Sequence, residues 1–256
     1  KIAIKNLRQR RLRSWLTMLG IFISIATIFT LISLSLGLRG AIDEQFQILG
    51  VDKFFIMPKG QLGAPGTGGA VELTIKDVNI VEKVSGVKEV SYFNVANAKT
   101  EFNKNTRYLM VVGIPTDRLK LFEESVDLKL DEGKFIEKRE MGKVALGYDY
   151  KYTNVFGKPV ITGDKILLND KPFKVSGVLG QIGNPSDDKN IYMSFDDVRT
   201  FFNTGERIDE IIVQVNSGEN VKDVADRTAE KLRKSRGVTE KTQDFSILTP
   251  EELLQS

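Results

Sequence analysis

The 256-residue sequence contains no cysteine and no histidine. Without cysteine, the chain forms no disulfide and has no thiol for nucleophilic or redox chemistry. Without histidine, it lacks the imidazole on which Ser-His-Asp triads and the common zinc sites depend. These two absences exclude several large classes of enzyme. The first residue is Lys1 rather than Met, so we expect the sequence to be part of a longer chain.

Acidic side chains are missing from the first 39 residues, which carry seven of the 37 basic residues. The remaining residues have 30 basic and 34 acidic side chains, so the basic character of the protein comes from one short segment. A nucleic-acid footprint would need a clustered basic face in the bulk of the chain. We therefore expect no nucleic-acid partner.

A stretch of 25 residues without a charged side chain extends from Ser14 to Leu38. As an α-helix it would be about 37 Å long, enough to cross a hydrocarbon layer of about 30 Å. Trp15 stands at its start, where an indole ring suits the membrane–water boundary. A cleaved signal peptide would have a shorter apolar region and a small-residue cleavage site. Residues 14–38 are therefore predicted to be an uncleaved transmembrane helix.

Six basic side chains precede this helix, whereas Arg39 is soon followed by Asp43 and Glu44. Basic residues that flank a transmembrane helix favour the cytoplasmic side. The sequence therefore predicts a cytoplasmic basic segment at 1–13 and an extracytoplasmic main domain after about residue 40. The basic residues expected to determine this orientation are Arg8, Arg10, Arg11 and Arg13.

Small and hydroxylated residues recur at spacings of three and four within the apolar stretch, at Thr17, Gly20, Ser24 and Thr27. This spacing puts them on one face of a helix, where small residues let helices approach closely in lipid. The alternative is that the hydroxyl groups bond to carbonyl groups of their own helix. The first interpretation requires partner helices that this sequence does not contain.

The residues after the apolar stretch alternate between helix and strand patterns. Helical periodicity continues from Leu38 to Leu49 and is expected to stop at Gly50. Strands are predicted at 53–57, 87–101, 106–113, 144–146, 165–168, 173–179, 191–193, 210–215 and 245–248. Helices are predicted at 74–86, 115–122, 196–202 and 220–236. These patterns predict an α+β fold: one transmembrane helix, then a mixed α/β domain of two subdomains, one inserted in the other.

Residues 60–69 contain five glycines and one proline, and are predicted to form a mobile loop. They form no phosphate-binding loop, because the required Lys and Ser or Thr do not follow Gly69. The loop is longer than most connections, and long loops often bind partners. Its large apolar side chains, Leu62 and Pro65, are therefore candidate contacts for a partner or substrate. The alternative is a plain connector.

Three pairs of adjacent acids are the remaining candidates for chemistry: Asp187-Asp188, Asp196-Asp197 and Glu123-Glu124. General acid–base catalysis needs two carboxylates directed at one centre, whereas adjacent acids in a strand point to opposite faces. A calcium loop needs acids at alternating positions and a terminal Glu, and residues 187–190 lack that spacing. No catalytic, cofactor or metal site is predicted.

Several segments are similar to a known family: NLR at 6–8, LRSWLTMLGI at 12–21, VDKFFIMP at 51–58, VVGI at 111–114, ALG at 145–147, and much of 156–179. On these segments the chain resembles permease subunits of the MacB/LolC-LolE/FtsX-like group of ABC transporters. The resemblance covers their first transmembrane helix and their extracytoplasmic core domain.

The resemblance implies a dimer of permease subunits with four transmembrane helices each, driven by two cytoplasmic ATPase domains. It also implies a porter-like subdomain at 39–113 and 207–249, with a small α/β subdomain inserted at 114–206. Residues 250–256 would lead into a second transmembrane helix.

The implied partners are a cytoplasmic ABC ATPase, a second permease subunit of the same or a different kind, and membrane lipid. ATP and Mg²⁺ would bind the ATPase, so this chain is expected to be no enzyme and to hold no cofactor.

The resulting hypothesis is a permease in the cell membrane that couples ATP hydrolysis to movements of its outer domain. Such a protein would export or extract a peptide, lipid or lipoprotein-like substrate. Two alternatives remain open. One is an FtsX-like regulator of an extracellular cell-wall hydrolase. The other is a single-pass anchored extracytoplasmic receptor.

Overall fold

The computed structural model describes the backbone of residues 2–49, 52–60, 71–137 and 140–253. Within the N-terminal helix, side chains are described only for residues 15–38. The chain divides into two compact units, one ending at Gln47 and the other beginning at Ile48. One long helix followed by a mixed α/β domain confirms the predicted α+β class.

The first unit is a single helix, α1, which extends over Ile2–Leu49. Its segment Trp15–Leu38 is 24 residues long and apolar enough to cross a membrane, by length and composition. Every side chain in this segment is exposed. The segment agrees with the predicted span of 14–38 to within one residue, because both follow from the same absence of charge.

The second unit contains twelve strands among its described residues. They are β1 (Lys53–Pro58), β2 (Leu73–Thr74), β3 (Val87–Phe102), β4 (Asn105–Ile114), β5 (Leu130–Gly133), β6 (Lys143–Leu146), β7 (Lys165–Leu168), β8 (Lys171–Leu179), β9 (Ile191–Ser194), β10 (Arg207–Ile208), β11 (Glu210–Val215) and β12 (Phe245–Leu248).

The helices of this unit are short except for one. They are α2 (Ile75–Val81), α3 (Leu119–Ser125), α4 (Asp149–Tyr152), α5 (Phe195–Phe202), α6 (Val221–Arg236) and α7 (Pro250–Leu253), with a 3₁₀ turn at Asp187–Lys189.

Ten of the strands form one mixed sheet in the order β12-β1-β11-β3-β4-β9-β6-β8-β5, with β7 pairing with β3 and β8. Strands β2 and β10 form a separate pair. The long strand β3 pairs with β11 over its first half and with β4 over its second half. Strand β3 therefore joins two halves of the sheet, one with β12, β1 and β11 and the other with β4, β9, β6, β8 and β5.

Local sequence signals account for several element boundaries. Thr74 and Asp77 form the predicted capping box at the start of α2. Asn103 and Lys104 adopt φ angles of 49° and 61° between β3 and β4, as a two-residue hairpin turn requires. Gly237 ends α6 in the left-handed region, at φ 68°, where glycine lacks the steric penalty of other residues.

The buried side chains fall into three groups. The first packs α2 and α6 against β1 and β11, and includes Phe54, Ile56, Val78, Val213 and Leu232. The second lies around β6 to β9, α4 and α5, and includes Leu146, Tyr150, Phe156 and Val175. The third lies beneath α3 and includes Phe55, Ile212, Phe122 and Tyr192. Because the third group draws on both predicted subdomains, the division into 39–113 with 207–249 and 114–206 stays a prediction.

Two predicted helices differ from the structure in their bounds. The helix expected at 74–86 ends at Val81 and continues as turns. The helix expected at 115–122 begins at Leu119, because Pro115 to Arg118 form a turn closed by the Arg118 N–H to Pro115 carbonyl bond of 3.0 Å. The elements β2, β5, α4 and β10 were not predicted, since two to four residues are too few to show a period.

Candidate functional site

The small-residue face of α1 carries hydroxyl groups that bond within the helix. Ser24 Oγ donates to the Gly20 carbonyl at 2.9 Å, and Thr27 Oγ1 donates to the Ile23 carbonyl at 2.8 Å. These are the bonds of the alternative interpretation, and they satisfy polar groups that lipid would leave without a partner. The space beside Gly20 is open, since no atom outside the nearby backbone of its own helix lies within 4 Å of where a Cβ would be. A packing role for this face stays a prediction.

The other side of α1 is bulky. Large apolar residues recur there at spacings of four and three, at Met18, Phe22, Ile25, Phe29, Ile32 and Leu36. At 100° per residue the mean direction of these positions lies about 140° from the mean direction of Thr17, Gly20, Ser24 and Thr27. The helix is therefore apolar on all sides but has a face of small residues and a face of large ones. Such a helix suits lipid on one side and a close helical neighbour on the other.

Two sets of predicted residues have side chains outside the described part of the structure. Arg8, Arg10, Arg11 and Arg13 lie within α1, but only their backbone is described. Leu62 and Pro65 belong to residues 61–70, which lie outside the described residues.

The chain on either side of residues 61–70 is attached to the same place. The Lys59 N–H donates to the Asp244 carbonyl at 2.8 Å, and Arg236 donates to the Glu72 carbonyl at 3.2 Å. Arg236 also binds the carboxylate of Asp244 at 2.7 Å and that of Asp77 at 2.8 Å. Its hydrogen bonds hold the pKa of Asp244 below the usual range, despite partial burial. The Arg236 guanidinium group thus contacts one side of this segment directly, at Glu72, and the other side through Asp244, which binds Lys59.

Asp52, which directly precedes β1 and lies three positions after the end of α1, is bonded to the end of β11. The Asp52 carboxylate accepts a hydrogen bond from Gln214 Nε2 at 2.7 Å, and its carbonyl accepts from the Val215 N–H at 2.9 Å. Lys53 Nζ lies 3.5 Å from the same carboxylate, although its side chain is only 7% exposed. Burial works to raise the pKa of Asp52, but the Gln214 bond and the Lys53 charge outweigh it and lower that pKa. The Asp52 carboxylate is therefore held in its charged form.

The two chain connections of the outer domain lie at one end of neighbouring strands. Strands β1 and β12 are antiparallel, with Phe55 opposite Leu248, so the start of β1 lies beside the end of β12. Directly after β12, Thr249 and Glu252 form a reciprocal cap with bonds of 3.1 and 3.3 Å. This cap starts α7, so one helix precedes β1 and another follows β12.

Two of the three acidic pairs contain a carboxylate that accepts a hydrogen bond from a backbone N–H group. The Asp188 carboxylate accepts from the Ile182 N–H at 2.8 Å, and the Asp197 carboxylate accepts from the Gly142 N–H at 3.2 Å. Glu123 and Glu124 lie on α3. Within the described residues, no group of three or more acidic side chains is placed to hold a metal ion. The bonded carboxylates stabilise turns and strand ends.

A helix long and apolar enough to cross a membrane, followed by a mixed α/β domain, is the architecture to be compared with known membrane proteins. The sequence profile of MacB-like periplasmic core domains matches residues 14–231. The chain therefore belongs to the family of MacB-like periplasmic core domains.

Relatives of this chain include two named transport proteins. An uncharacterized ABC transporter permease of Methanocaldococcus jannaschii is 31% identical over 255 residues, which are 99% of this chain and 62% of that protein. The macrolide export ATP-binding/permease protein MacB of Aggregatibacter actinomycetemcomitans is 24% identical over 270 residues, which are 100% of this chain and 40% of that protein. The chain thus spans only part of either relative.

Two solved structures share the fold. The periplasmic region of MacB from Actinobacillus actinomycetemcomitans matches with a TM-score of 0.65 and 20% identity, over 84% of this chain and 96% of that one. The extracellular domain of the noncanonic ABC-type transporter YknZ from Gram-positive bacteria matches with a TM-score of 0.58 and 20% identity, over 77% and 98%. At these identities the matches show the fold alone.

Sequence reasoning did not find the residues that hold the ends of the outer domain together. Asp52 and Gln214 are 162 positions apart, and Arg236 and Asp77 are 159 positions apart. The sequence pattern indicates Asp77 only as part of a capping box, and Asp52 only as part of the segment 51–58 that is similar to the family. No local pattern links such distant partners.

Proposed function

We propose that this chain is the first membrane helix and outer domain of a permease subunit that couples cytoplasmic ATP hydrolysis to movements outside the membrane. The observation that carries the proposal is the placement of both chain connections at one end of the β1–β12 pair. A relative displacement of the preceding and following helices would act directly on two hydrogen-bonded strands.

The ATPase belongs to a separate subunit or domain in this proposal. One relative is named a permease, and another is named an ATP-binding/permease protein of which this chain matches only 40%. ATP and Mg²⁺ would bind that partner. The substrate that we propose to be exported or extracted is a peptide, lipid or lipoprotein-like molecule, and the working unit is a dimer of permease subunits.

The proposed orientation can be tested by cysteine labelling, because residues 1–256 contain no native cysteine that would react. Lys59→Cys in the outer domain should react with a membrane-impermeant thiol reagent on intact cells. Lys5→Cys should react only after the cells are permeabilised, because residues 1–13 are placed in the cytoplasm. Equal labelling of both positions, or the reverse pattern, would contradict the orientation.

The function itself is tested by purifying the full-length permease in detergent and identifying what accompanies it by mass spectrometry. We expect an ABC ATPase and a bound lipid or peptide. Replacing residues 52–249 by a flexible linker should retain the ATPase and lose the substrate. Co-purification of a cell-wall hydrolase without substrate would favour the FtsX-like alternative. Purification without any ATPase would favour an anchored receptor.

A further inference from the structure

Strand β11 is a rigid connection through the middle of one half of the sheet. It pairs with β1 on one side and with β3 on the other. Ile211 and Val213 are fully buried on one face, and Ile212 is 1% exposed on the other. Six residues of strand extend about 20 Å. Because both edges are bonded and both faces are packed, β11 can be displaced only as a whole.

One end of β11 is bonded to the residue that follows the connection from α1. Asp52 accepts two hydrogen bonds from this end, one from the Gln214 side chain and one from the Val215 N–H. These bonds come before the β1–β11 ladder, whose first pair is Lys53 with Gln214. A force on the chain at Asp52 therefore reaches β11 before it reaches the rest of β1.

The other end of β11 meets β3 at the point where β3 changes partners. The Asp209 N–H donates to the Phe93 carbonyl at 3.0 Å, and its carboxylate accepts from the Val95 N–H at 2.7 Å. From Asn94 onward, β3 pairs with β4 instead. Arg207 lies 3.3 Å from the Asp209 carboxylate, and the Asp209 side chain is only 3% exposed. This buried ion pair fixes the end of β11 where the second half of the sheet begins.

We propose that Asp52 is a positioning residue that transmits displacement from the α1 connection along β11 to the Asp209 end, and so moves the two halves of the sheet relative to each other. The inference deepens the proposed function and rests on it. Without its carboxylate, residue 52 keeps only the backbone hydrogen bond from Val215 to β11. Residue 52 can then move relative to β11, so part of any displacement does not reach that strand.

The test measures the distance between two spin labels in the full-length permease assembled with its ATPase, with and without ATP. Labels are attached to Asp226→Cys on α6 and Tyr108→Cys on β4. Both side chains are exposed, and they lie in different halves of the sheet. We expect ATP to shift the distance distribution in the parent protein, and Asp52→Ala to reduce that shift. Asp52→Asn should retain it, because an amide oxygen still accepts from Gln214.

The matched control is Asp131→Ala. Asp131 also accepts a side-chain bond, from Tyr152 at 2.5 Å, and pairs with a lysine, but it lies on β5. This variant should shift as the parent does. Gln214→Met removes the same hydrogen bond from the other partner and should also reduce the shift. It tests the inference if Asp52→Ala fails to fold.

A full ATP-driven shift in folded Asp52→Ala or Gln214→Met would overturn the inference and leave the proposed function standing. An equal loss in Asp131→Ala would overturn it too. If the parent binds its ATPase and hydrolyses ATP without any shift, both the inference and the proposed coupling are wrong.

Discussion

Glu210 places a carboxyl group on an apolar face of the sheet. It shares that face of β11 with Ile212, which belongs to the buried group beneath α3, and it lies opposite Phe93 on β3. Burial disfavours the charged form, and the negative charge of Asp187 adds to this effect. Together they raise the pKa of Glu210 to about 8. Near neutral pH the folded protein therefore holds a proton that an exposed glutamate would release.

This protonation predicts a pH-dependent stability. An unfolded glutamate has a pKa of about 4.3. Between that value and about 8 the folded state binds more protons, so stability falls as pH rises through this range. At pH 8, Glu210→Gln should raise the free energy of unfolding by at least about 1.4 kcal/mol, the value of one pKa unit, and so raise the melting temperature. At pH 4 it should change little.

Thermal unfolding of the outer domain at the two pH values measures this difference. Glu206→Gln, which changes an exposed carboxyl near the start of the same strand, is the control and should leave the slope with pH unchanged. A Glu210→Gln variant with the same slope as the parent would show that Glu210 is ionised in the folded protein.

The C-terminal end of α6 binds two acidic side chains from other parts of the domain. Its apolar face packs Val224 and Leu232 against the sheet, and Arg236 in its last turn binds Asp244 and Asp77. Asp77 caps α2, and Asp244 precedes β12. One side chain therefore connects a helix start, a helix end and the approach to an edge strand.

Removing this guanidinium group is expected to be costly. Arg236→Ala leaves the buried Asp77 carboxylate without its cation, and breaking one side of such a buried pair costs about 3 kcal/mol. Urea unfolding followed by circular dichroism measures the loss. Arg233→Ala is the matched control, because Arg233 donates to the neutral amide of Gln243 at 2.9 Å and should cost about 1 kcal/mol. Equal losses would mean that the ion pairs contribute nothing beyond an ordinary hydrogen bond.

At the scale of the whole molecule, the buried side chains of the described residues lie in only one of the two compact units. All three groups of buried side chains lie in the unit that begins at Ile48. The segment Trp15–Leu38 contributes none of them, since every one of its side chains is exposed. The outer domain therefore has its core without the membrane helix.

We predict that residues 52–253 alone form a soluble domain that unfolds cooperatively. Acidic side chains outnumber basic ones after residue 39, which favours solubility. The test is whether unfolding curves from far- and near-ultraviolet circular dichroism coincide. Neither signal requires tryptophan, which residues 52–253 lack. Retained helix and strand signal with lost near-ultraviolet signal would instead indicate a molten domain that depends on α1.

Elements with strong local signals were predicted closely. The helix expected at 220–236 is observed at Val221–Arg236, because Asn220 caps its start and Gly237 ends it. The strand expected at 210–215 matches Glu210–Val215. By contrast, β5 has four residues and a bulge between Leu130 and Glu132, so its alternation is interrupted. Short edge elements such as this depend on the partner strand rather than on their own pattern.

The sequence by itself determined the membrane-length helix, the α+β character of the outer domain and its hairpin turns, because each follows from residues that are neighbours along the chain. A span without charge, a capping box and a two-residue turn act over a few positions. Only the tertiary structure decided the strand order, the bonding of Asp52 to Gln214 and the several bonds of Arg236. Those depend on which distant segments pack together, and packing is set by the burial of the whole chain at once.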